Sequence, residues 1–349
     1  MFSSYKPDDV DILLKDITGM VTPLETKERE KRIQSGVHYS EMLPIEYVPS
    51  TAYLDAFYQA LNRYAAITAE AVAVVAQKIW NEKKEKAVLV SLARAGTPIG
   101  ILIKHYIDKK YQVNISHYTI SIIRGLGIDK NAMNYILSRH NPEDIQFVDG
   151  WTGKGAIQNQ LFLAMEDYPK VSPGLAVLSD PACIAEKSGT QDDFLIASSC
   201  LNSTVSGLLS RTFYRSDIIG ERDYHGAMFY KDLSSNDLTY FFIDTVESFF
   251  DYSDKEGRIT GSTQSGLSEV KRICSDFGIT DINLVKPSIG EATRVLLRRV
   301  PWKVLVRSKD DNEHLGHLYQ LAKEKQVEVV EYPLKNYRAC GIIKSLADN

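Results

Sequence analysis

The alternation of short apolar segments with segments of helix length is the feature that most constrains this chain. The apolar segments have the length of buried strands, and the segments between them carry apolar residues at helical spacing. The predicted strands are KAVLVSLARAG (86–96), YQVNISHYTISII (111–123), DIQFVDGW (144–151) and GLAVLSD (174–180). The predicted helices between them cover residues 98–110, 130–140 and 156–168. This order predicts an α/β fold with a parallel sheet, in which the carboxyl ends of the strands share one edge.

The rest of the chain is arranged around this sheet. Residues 1–50 are polar and irregular and predict an N-terminal extension, or hood, whereas residues 52–80 follow a long alanine-rich helical pattern. A stretch rich in glycine, serine and threonine, 254–266, predicts a linker. Behind it, three strand-like and three helical segments and a last helix from Lys335 predict a small α/β/α unit. The predicted units are the hood at 1–50, the sheet domain at 51–256 and the small domain at 265–349.

The composition argues against several classes of protein. Hydrophobic residues make up 44% and charged residues 25% of the chain, which is typical of a soluble protein with a core. A formal net charge of −4 gives no overall signal for nucleic acid or membrane, and no stretch of eighteen uninterrupted apolar residues occurs. The four cysteines include no CxxC pair and the seven histidines no HxxxH pair, so we expect no metal cluster. These features predict a cytoplasmic protein with free thiols, no signal peptide and no membrane association.

Two loops at the predicted sheet edge carry groups that suit anions. After the strand IQFV, Asp149 is followed by a turn that precedes a helix and contains Thr152, Gly153, Lys154 and Gly155. Backbone N–H groups in such a turn, together with a helix N-terminus, favour a phosphate. After the apolar residues VLV (88–90), a similar segment leads into a helix predicted from Pro98. It contains Ser91, Arg94, Ala95 and Gly96, and Thr97 is the predicted cap of the helix. Each loop alone is also compatible with a plain capped helix start; together they predict a ligand with two separated phosphate groups.

The two loops resemble the ribose-phosphate loop and the pyrophosphate loop of type I phosphoribosyltransferases. Asp149 matches the first acid of that family's motif, whereas Gly150 stands where the second acid is usual and Gly155 where a threonine is usual. Five stretches in order resemble the phosphoribosyltransferase-like proteins of bacterial tellurite-resistance gene clusters: SGVHYSEM (35–42), SLARAGTPIG (91–100), HYTISIIRGLGID (117–129), FVDGWTGKG (147–155) and LNSTVSGLLSRTFY (201–214). That family carries a C-terminal Pelota-type RNA-binding domain and is also described as a StiP-type cysteine protease family.

The resemblance implies an enzyme that binds phosphoribosyl diphosphate with Mg²⁺ and transfers ribose phosphate to an unknown base or nucleotide-like acceptor in a stress response. The 5-phosphate would lie on Thr152–Gly155, and Asp149 would hold the ribose hydroxyls. The pyrophosphate would meet the loop from Ser91 to Thr97, with Arg124 as a second catalytic cation beside Arg94. The predicted acceptor pocket contains Asp180, Asn202, Ser203, Ser206 and Arg211. Residues 38–41 are predicted either to fold over the same edge or to cap a helix.

Two other functions remain open at this point. A cysteine peptidase needs a thiolate beside a histidine, and the candidates are Cys183 or Cys200 with His225 or His38. The glycine at position 150 instead favours a nucleotide sensor or RNA-binding adaptor whose first domain has lost catalysis.

The C-terminal stretch KPSIGEATRVLLRRV (286–300) resembles the glycine–acid–x–threonine–basic signature of Pelota proteins. The resemblance implies contacts with structured RNA, whereas the alternative is a solvated amphipathic helix. The predicted RNA-binding residues are Gly290, Glu291, Thr293, Arg294 and Arg298. The sequence leaves the oligomeric state open, and a homodimer is compatible with it.

Overall fold

A computed structural model of the chain describes residues 2–254 and 265–344. Its helices are α1 Thr26–Gln34, α2 Thr51–Lys83, α3 Gly96–Tyr111, α4 Lys130–Leu137, α5 Ala156–Met165, α6 Thr239–Glu247, α7 Gly266–Asp276, α8 Ile289–Arg298 and α9 Asn312–Glu324. Its strands are β1 Asp11–Ile12, β2 Lys15–Asp16, β3 Val88–Leu92, β4 Ser116–Ile120, β5 Ile122–Ile123, β6 Gly127–Ile128, β7 Ile145–Val148, β8 Leu175–Ser179, β9 Lys187–Thr190, β10 Gly226–Ala227, β11 Val285–Pro287, β12 Pro301–Val306, β13 Glu328–Glu331 and β14 Ala339–Ile343. Within the described ranges, none of the helices combines the length and apolar character that crossing a bilayer requires.

Six strands form one parallel sheet in the order β1-β4-β3-β7-β8-β9. The prediction of an α/β fold with a parallel sheet is therefore confirmed. β3 and β7 are neighbours in this sheet, and β8 follows β7. The loops that leave the carboxyl ends of these strands consequently lie side by side at one edge, which is where open parallel sheets hold their ligands.

Helices cover both faces of this sheet, which explains why its central strands are apolar throughout. The side chains of β3 alternate between the faces: Leu89 packs in a cluster with α2 and α3, whereas Val88 and Val90 pack with α4 and α5. All five residues of β3 are buried. The two clusters hold the strands rigidly, so the loops at the edge project from a fixed base.

The first domain departs from the sequence prediction at its edges. The N-terminal residues, predicted to be irregular, supply β1 as the edge strand beside β4 and β2 as the partner of β10. α3 continues to Tyr111, so the strand predicted from residue 111 begins only at Ser116. β9 has the sequence KSGT, which lacks an apolar pattern, and pairing with β8 places it in the sheet.

The C-terminal domain is a four-stranded sheet in the order β11-β14-β12-β13 with helices α7, α8 and α9. The last helix predicted from Lys335 is wrong, because residues 339–343 form β14 between two antiparallel neighbours. The run ACGII is too short for periodicity to separate helix from strand. Hydrogen bonding on both sides decides the outcome, and four of the five residues of β14 are buried.

Candidate functional site

Two loops meet at the carboxyl edge of the sheet, as the sequence predicts. One follows β3 and contains Arg94, and the other follows β7 and begins with Asp149. Gly96 lies so close to the second loop that a Cβ atom there would be 2.6 Å from the carbonyl oxygen of Val148. Glycine at this position therefore permits the two loops to touch.

The hydroxyl groups of the first loop differ from the prediction. α3 begins one residue before Thr97, so Thr97 does not cap it; its Oγ1 lies 2.7 Å from Oγ1 of Thr119. Oγ of Ser91 lies 2.7 Å from Nε2 of His117. Both hydroxyls are fully buried. The expectation that Ser91 and Thr97 meet a phosphate through their side chains is corrected: they stabilise the packing between β3, β4 and α3.

The side chain of Arg94, in the first loop, contacts residues outside that loop. Its Nη1 donates to the carbonyl oxygen of Leu209 at 2.7 Å, and its Nη2 donates to Oδ1 of Asn202 at 2.9 Å and to Oε1 of Glu46 at 3.2 Å. The peptide bond between Ala93 and Arg94 is cis. Asn202, predicted for the acceptor pocket, therefore positions the guanidinium of Arg94.

Asp149 stands at the end of β7. Its Oδ1 accepts a hydrogen bond from the backbone N–H of Gly150 at 2.8 Å. Burial raises the pKa of Asp149 to about 6, while the hydrogen bond from Gly150 and the positive charge of Arg294 oppose the rise. Since Arg294 belongs to α8, the C-terminal domain reaches the place predicted for ribose.

The side chains of the turn 152–155 are engaged with protein groups. Oγ1 of Thr152 donates to Oδ1 of Asp180 at 2.6 Å, and the other carboxylate oxygen of Asp180 accepts the N–H groups of Ile184 and Ala185, each at 3.0 Å. Nζ of Lys154 donates to two backbone carbonyl oxygens of the C-terminal domain, at 2.5 and 3.0 Å. Asp180, predicted for the acceptor pocket, instead fixes this turn, and Lys154 docks the second domain on it.

The backbone of the same turn remains open. The N–H groups of Gly153, Lys154 and Gly155 donate to no acceptor within residues 2–254 and 265–344. Gly155 has a φ of 89°, a conformation that glycine adopts without strain, and α5 begins directly after it. Consecutive free N–H groups before a helix N-terminus form a concave site for an anion.

The N-terminus of α8 is docked on the first domain. The carboxylate of Asp193 accepts the N–H of Ile289 at 3.0 and 3.1 Å and the N–H of Arg338 at 2.9 Å. Gly290 is buried, and Ser199 of the first domain is the nearest residue to the position where its Cβ would lie. The turn predicted to approach RNA is therefore covered in this arrangement.

The other predicted RNA-binding residues also face the first domain. Thr293 is fully buried. Nη1 of Arg294 donates to Oε1 of Glu291 at 3.0 Å, and its guanidinium lies 5.2 Å from the ring centroid of Trp151. Nη2 of Arg298 donates to a backbone carbonyl of the first domain at 3.3 Å. The expectation of a solvent-facing RNA surface on α8 is corrected by this docking: the five residues line or adjoin a cleft between the domains.

Positive charge is concentrated in this interdomain cleft. Burial and, to a smaller extent, neighbouring guanidinium groups, Arg94 among them, lower the pKa of Arg211 and of Arg298 to about 9 in each case. The guanidinium of Arg211 lies 4.6 Å from the ring centroid of Tyr39 and makes no hydrogen bond with the described residues. The cations that influence one another are Arg29, Arg94, Arg124, Arg211, Arg294, Arg298, Arg299, Lys154 and Lys286. The carboxylates beside them are Glu46, Asp149, Asp281 and Glu291.

Residues 38–41 fold over the same edge, in agreement with one of the two predictions for them. The hydroxyl oxygen of Tyr39 accepts the backbone N–H of Arg124 at 2.8 Å, and Nε2 of His38 is 3.1 Å from the carbonyl oxygen of Arg124. Nη1 of Arg124 donates to Oδ1 of Asn283 in the C-terminal domain at 2.7 Å. Arg124 thus links the N-terminal segment, the first domain and the second domain.

The remaining predicted acceptor residues have internal roles. Oγ of Ser206 donates to the carbonyl oxygen of Asn202 at 2.7 Å. Oγ of Ser203 is buried and has no partner among the described residues. Of the five residues predicted for the acceptor pocket, Arg211 is the one that faces the cleft.

Sequence reasoning missed two residues of the cleft and a third residue at the domain interface. Glu46 gives no local signal, because it pairs with Arg94 from a segment predicted to be irregular. Trp151 directly follows Gly150 at the end of a strand, and an aromatic residue at such an edge is a recognisable platform for a cation. Asp193 lies in the same stretch of sequence as the predicted acceptor pocket, between Asp180 and Asn202, but it anchors α8.

Among residues 2–254 and 265–344, no cysteine is paired with a histidine as a catalytic dyad requires. Cys200 is fully buried, and burial raises the pKa of its thiol to about 12. Cys183 is partly exposed, and burial and the charge of Asp180 raise the pKa of its thiol. Nδ1 of His225 and Nδ1 of His38 lie 2.8 and 2.7 Å from serine hydroxyls. The pairs predicted between these cysteines and histidines are therefore not assembled among the described residues.

A separate cavity of about 450 Å³ lies between α2 and the start of α9. Its lining includes Arg63, Tyr64, His314 and His317. The hydroxyl of Tyr64 is buried without a hydrogen-bond partner in the described ranges, and Arg63 pairs with Glu313 at 2.8 Å. This cavity does not include the two loops, so we treat the cleft as the candidate site.

Comparisons with known proteins agree with the two-domain arrangement. Residues 264–345 match the family described as the PELOTA RNA binding domain, so the second domain is of the Pelota type. Residues 3–247 match the family described as the tellurite-like stress resistance cysteine protease StiP. The chain belongs to the StiP family.

A curated relative supports this assignment over almost the whole chain. The protein named cysteine protease StiP from Acinetobacter baylyi is 37% identical over 365 aligned residues, covering 98% of this chain and 94% of the relative. Two solved structures are much more distant. A hypoxanthine-guanine phosphoribosyltransferase from Bacillus anthracis is 13% identical with a TM-score of 0.26, covering 36% of this chain and 75% of that one. A xanthine-guanine-hypoxanthine phosphoribosyltransferase from Helicobacter pylori is 15% identical with a TM-score of 0.22, covering 39% and 74%.

Proposed function

We propose that the interdomain cleft binds phosphoribosyl diphosphate or a closely related phosphorylated ribose. The observation that carries this proposal is the partly buried guanidinium of Arg211, which has no hydrogen-bonded partner among the described residues and lies among other cations. Burying such a charge is costly unless an anion offsets it. A ligand with several phosphate groups supplies that anion.

The two loops offer complementary parts of such a site. The free N–H groups of Gly153, Lys154 and Gly155 suit the terminal 5-phosphate, and Arg94 and the backbone of Ala95 and Gly96 suit the pyrophosphate. Asp149 lies between them and suits the ribose hydroxyls.

Mg²⁺ fits this site as an ion carried by the ligand. No group of three or more histidine, cysteine, aspartate or glutamate residues that could hold a metal occurs in the described ranges. Mg²⁺ needs only one or two protein carboxylates when phosphates supply its other ligands, and Asp149 at the end of β7 offers one. When bound, Mg²⁺ would neutralise charge on the pyrophosphate.

The residues of the cleft account for ligand binding more fully than for a transfer reaction. The cations would stabilise the charge that develops on a departing pyrophosphate. Gly150, however, supplies no second carboxylate to the ribose, so a ligand sensor is the alternative outcome of the same binding. We place either activity in the stress resistance named in the family's description.

Replacing Arg211 by methionine tests the binding proposal. We expect calorimetry with phosphoribosyl diphosphate and Mg²⁺ to show binding by the parent protein and an affinity reduced about 10- to 100-fold in Arg211→Met, since a hydrogen bond to a charged group contributes about 1.5–3 kcal/mol. Arg215→Met is the matched control, because Arg215 is half exposed and pairs with Asp217 outside the cleft. No heat of binding with the parent protein would refute the proposal. Pyrophosphate release with a panel of bases separates transfer from sensing.

Cysteine peptidase activity is the second candidate, and the names of the family and of the Acinetobacter relative favour it. Cys183 is the best-placed thiol, because it is partly exposed and has a φ of 55° in the loop after β8, near the domain interface. Its Sγ accepts a hydrogen bond from the side-chain amide of Asn336 at 3.8 Å. A thiol with a raised pKa beside a carboxylate is a poor nucleophile, so this function requires a histidine to approach Cys183 in another conformation.

Alkylation distinguishes the thiols. We expect iodoacetamide at pH 7.5 to label Cys183 well before Cys200, because Cys200 is fully buried with a thiol pKa of about 12. Peptide mapping by mass spectrometry follows the order of labelling. A peptidase that uses Cys183 loses activity in Cys183→Ala and keeps it in Cys200→Ala, and both variants keep phosphoribosyl diphosphate binding. Activity that survives Cys183→Ala would remove this candidate.

We further propose that structured RNA is a partner of the Pelota-type domain, as the description of its family suggests. The docking of α8 covers Gly290 and Thr293, so RNA would reach these residues only when the domains separate.

A further inference from the structure

Two cations of the C-terminal domain lie in the cleft with few hydrogen-bond or ion-pair partners. The side chain of Lys286, on β11, makes no hydrogen bond or ion pair with the described residues, and the residue is only partly exposed. Arg298, at the end of α8, donates one hydrogen bond of 3.3 Å to Ser199, and its Nε is buried without an acceptor among residues 2–254 and 265–344. Both side chains belong to the second domain but face groups of the first.

The charged neighbours of these two side chains include several cations as well as carboxylates. Burial lowers the pKa of Lys286, and the charges of Arg299, Arg124 and Arg294 add to this effect while Glu291 opposes it. Glu291, the carboxylate that opposes this effect, is already paired with Arg294 at 3.0 Å. Each wall of the unliganded cleft therefore carries more cations than carboxylates.

Such an arrangement is unfavourable for folding, and its persistence is characteristic of a binding site. Charges taken out of water without partners destabilise a protein, whereas functional sites keep groups that are costly to stability. The docking contacts hold this repulsive surface in place: the carboxylate of Asp193 binds Ile289 N–H, and Lys154 donates to the carbonyl oxygens of Ile282 and Val285. An anion between the walls would relieve the repulsion.

We propose that the C-terminal domain supplies half of the phosphate-binding site, with Lys286 and Arg298 binding the phosphate groups of a ligand held across the cleft. The ligand class is a ribose or nucleotide with more than one phosphate group. This proposal rests on the function proposed above and extends it, because it assigns to a Pelota-type domain a direct role in the first domain's site. It also implies that the ligand holds the two domains together.

Replacing either cation by methionine is expected to lower the affinity for the ligand without lowering the melting temperature. In Lys286→Met and in Arg298→Met the affinity for phosphoribosyl diphosphate with Mg²⁺ should fall about tenfold or more, by loss of a charged hydrogen bond. The melting temperature of the unliganded proteins should stay unchanged or rise, because a partly buried cation beside other cations is removed. A merely structural residue would instead lower the melting temperature and leave affinity unchanged.

Lys303→Met is the matched control. Lys303 lies on β12 of the same domain and pairs with Glu328 rather than with the cleft. It should change neither the affinity nor the response of the melting temperature to ligand. Calorimetry and thermal unfolding are measured on the full chain for the parent and all three variants.

The outcomes separate this inference from the proposed function. If Arg211→Met weakens binding while Lys286→Met and Arg298→Met do not, the C-terminal domain is not part of the site and the inference fails alone. If the parent protein binds neither phosphoribosyl diphosphate nor inorganic tripolyphosphate, both proposals fail. If the two variants bind a structured RNA oligonucleotide more weakly than the parent but bind small phosphates equally well, the cations bind RNA and the inference is overturned.

Discussion

Replacing Asp149 by asparagine is expected to stabilise the unliganded protein above about pH 6 and to leave its stability unchanged near pH 4. Burial raises the pKa of Asp149 to about 6 from its ordinary value of 3.8. Well below pH 4 the carboxyl group is protonated in both the folded and the unfolded states. Between about pH 4 and 6 the unfolded state loses this proton first, so the parent protein loses about 2–3 kcal/mol that Asp149→Asn retains.

Urea unfolding across this pH range measures the effect directly. Asp55→Asn is the control, since Asp55 is exposed on α2 and lies outside the cleft. The free-energy difference between Asp149→Asn and the parent should open between pH 4 and 6 and then remain constant. Parallel pH profiles for the two proteins would show that the charge of Asp149 is not penalised in the folded state.

The same substitution should reduce ligand binding. If Asp149 holds the ribose hydroxyls and one ligand position of Mg²⁺, Asp149→Asn loses affinity for phosphoribosyl diphosphate more strongly in Mg²⁺ than in its absence. Higher stability with lower affinity in one variant is the pattern expected of a binding group rather than a structural one. An unchanged affinity in Mg²⁺ would remove Asp149 from the proposed site.

Replacing Asp193 by alanine is expected to uncouple the two domains. Its carboxylate accepts the N–H groups of Ile289 and Arg338, and the side chain is buried. Leaving two buried donors without an acceptor costs about 2–4 kcal/mol. We expect urea unfolding of Asp193→Ala to lose about this much free energy and to show the two domains unfolding in separate steps. Small-angle scattering should report a larger radius of gyration.

The neighbouring residue provides the control for this prediction. Asp192 is exposed, so Asp192→Ala should keep the unfolding midpoint and the radius of gyration of the parent. Separation of the domains in Asp193→Ala would also expose the α8 face, so we expect tighter binding of structured RNA than by the parent, lost again when Arg294→Glu is added. Identical RNA binding by the parent and Asp193→Ala would mean that α8 does not contact RNA.

The sheet and its two loops could be predicted because their signals are local. Runs such as VLVSL and IQFV are apolar without interruption, as strands buried on both faces must be. The direction of the Ser91 side chain could have been predicted as well. Ser91 is two residues after Leu89, so it points to the face covered by α3 and contacts His117 instead of the edge. Thr97 could not, because its contact with Thr119 depends on the position of another strand.

The spacing of apolar residues established the parallel sheet, the two loops at its carboxyl edge and a second α/β domain, because these depend on contacts between a residue and its near neighbours. Whether the α8 face is open to solvent or packed against the first domain depends instead on contacts between residues about a hundred positions apart. Examples are Asp193 with Ile289 and Lys154 with Val285. From the chain alone, the charged face of α8 resembles a surface open to RNA. Packing against the first domain turns that face inward, where its cations become part of the cleft.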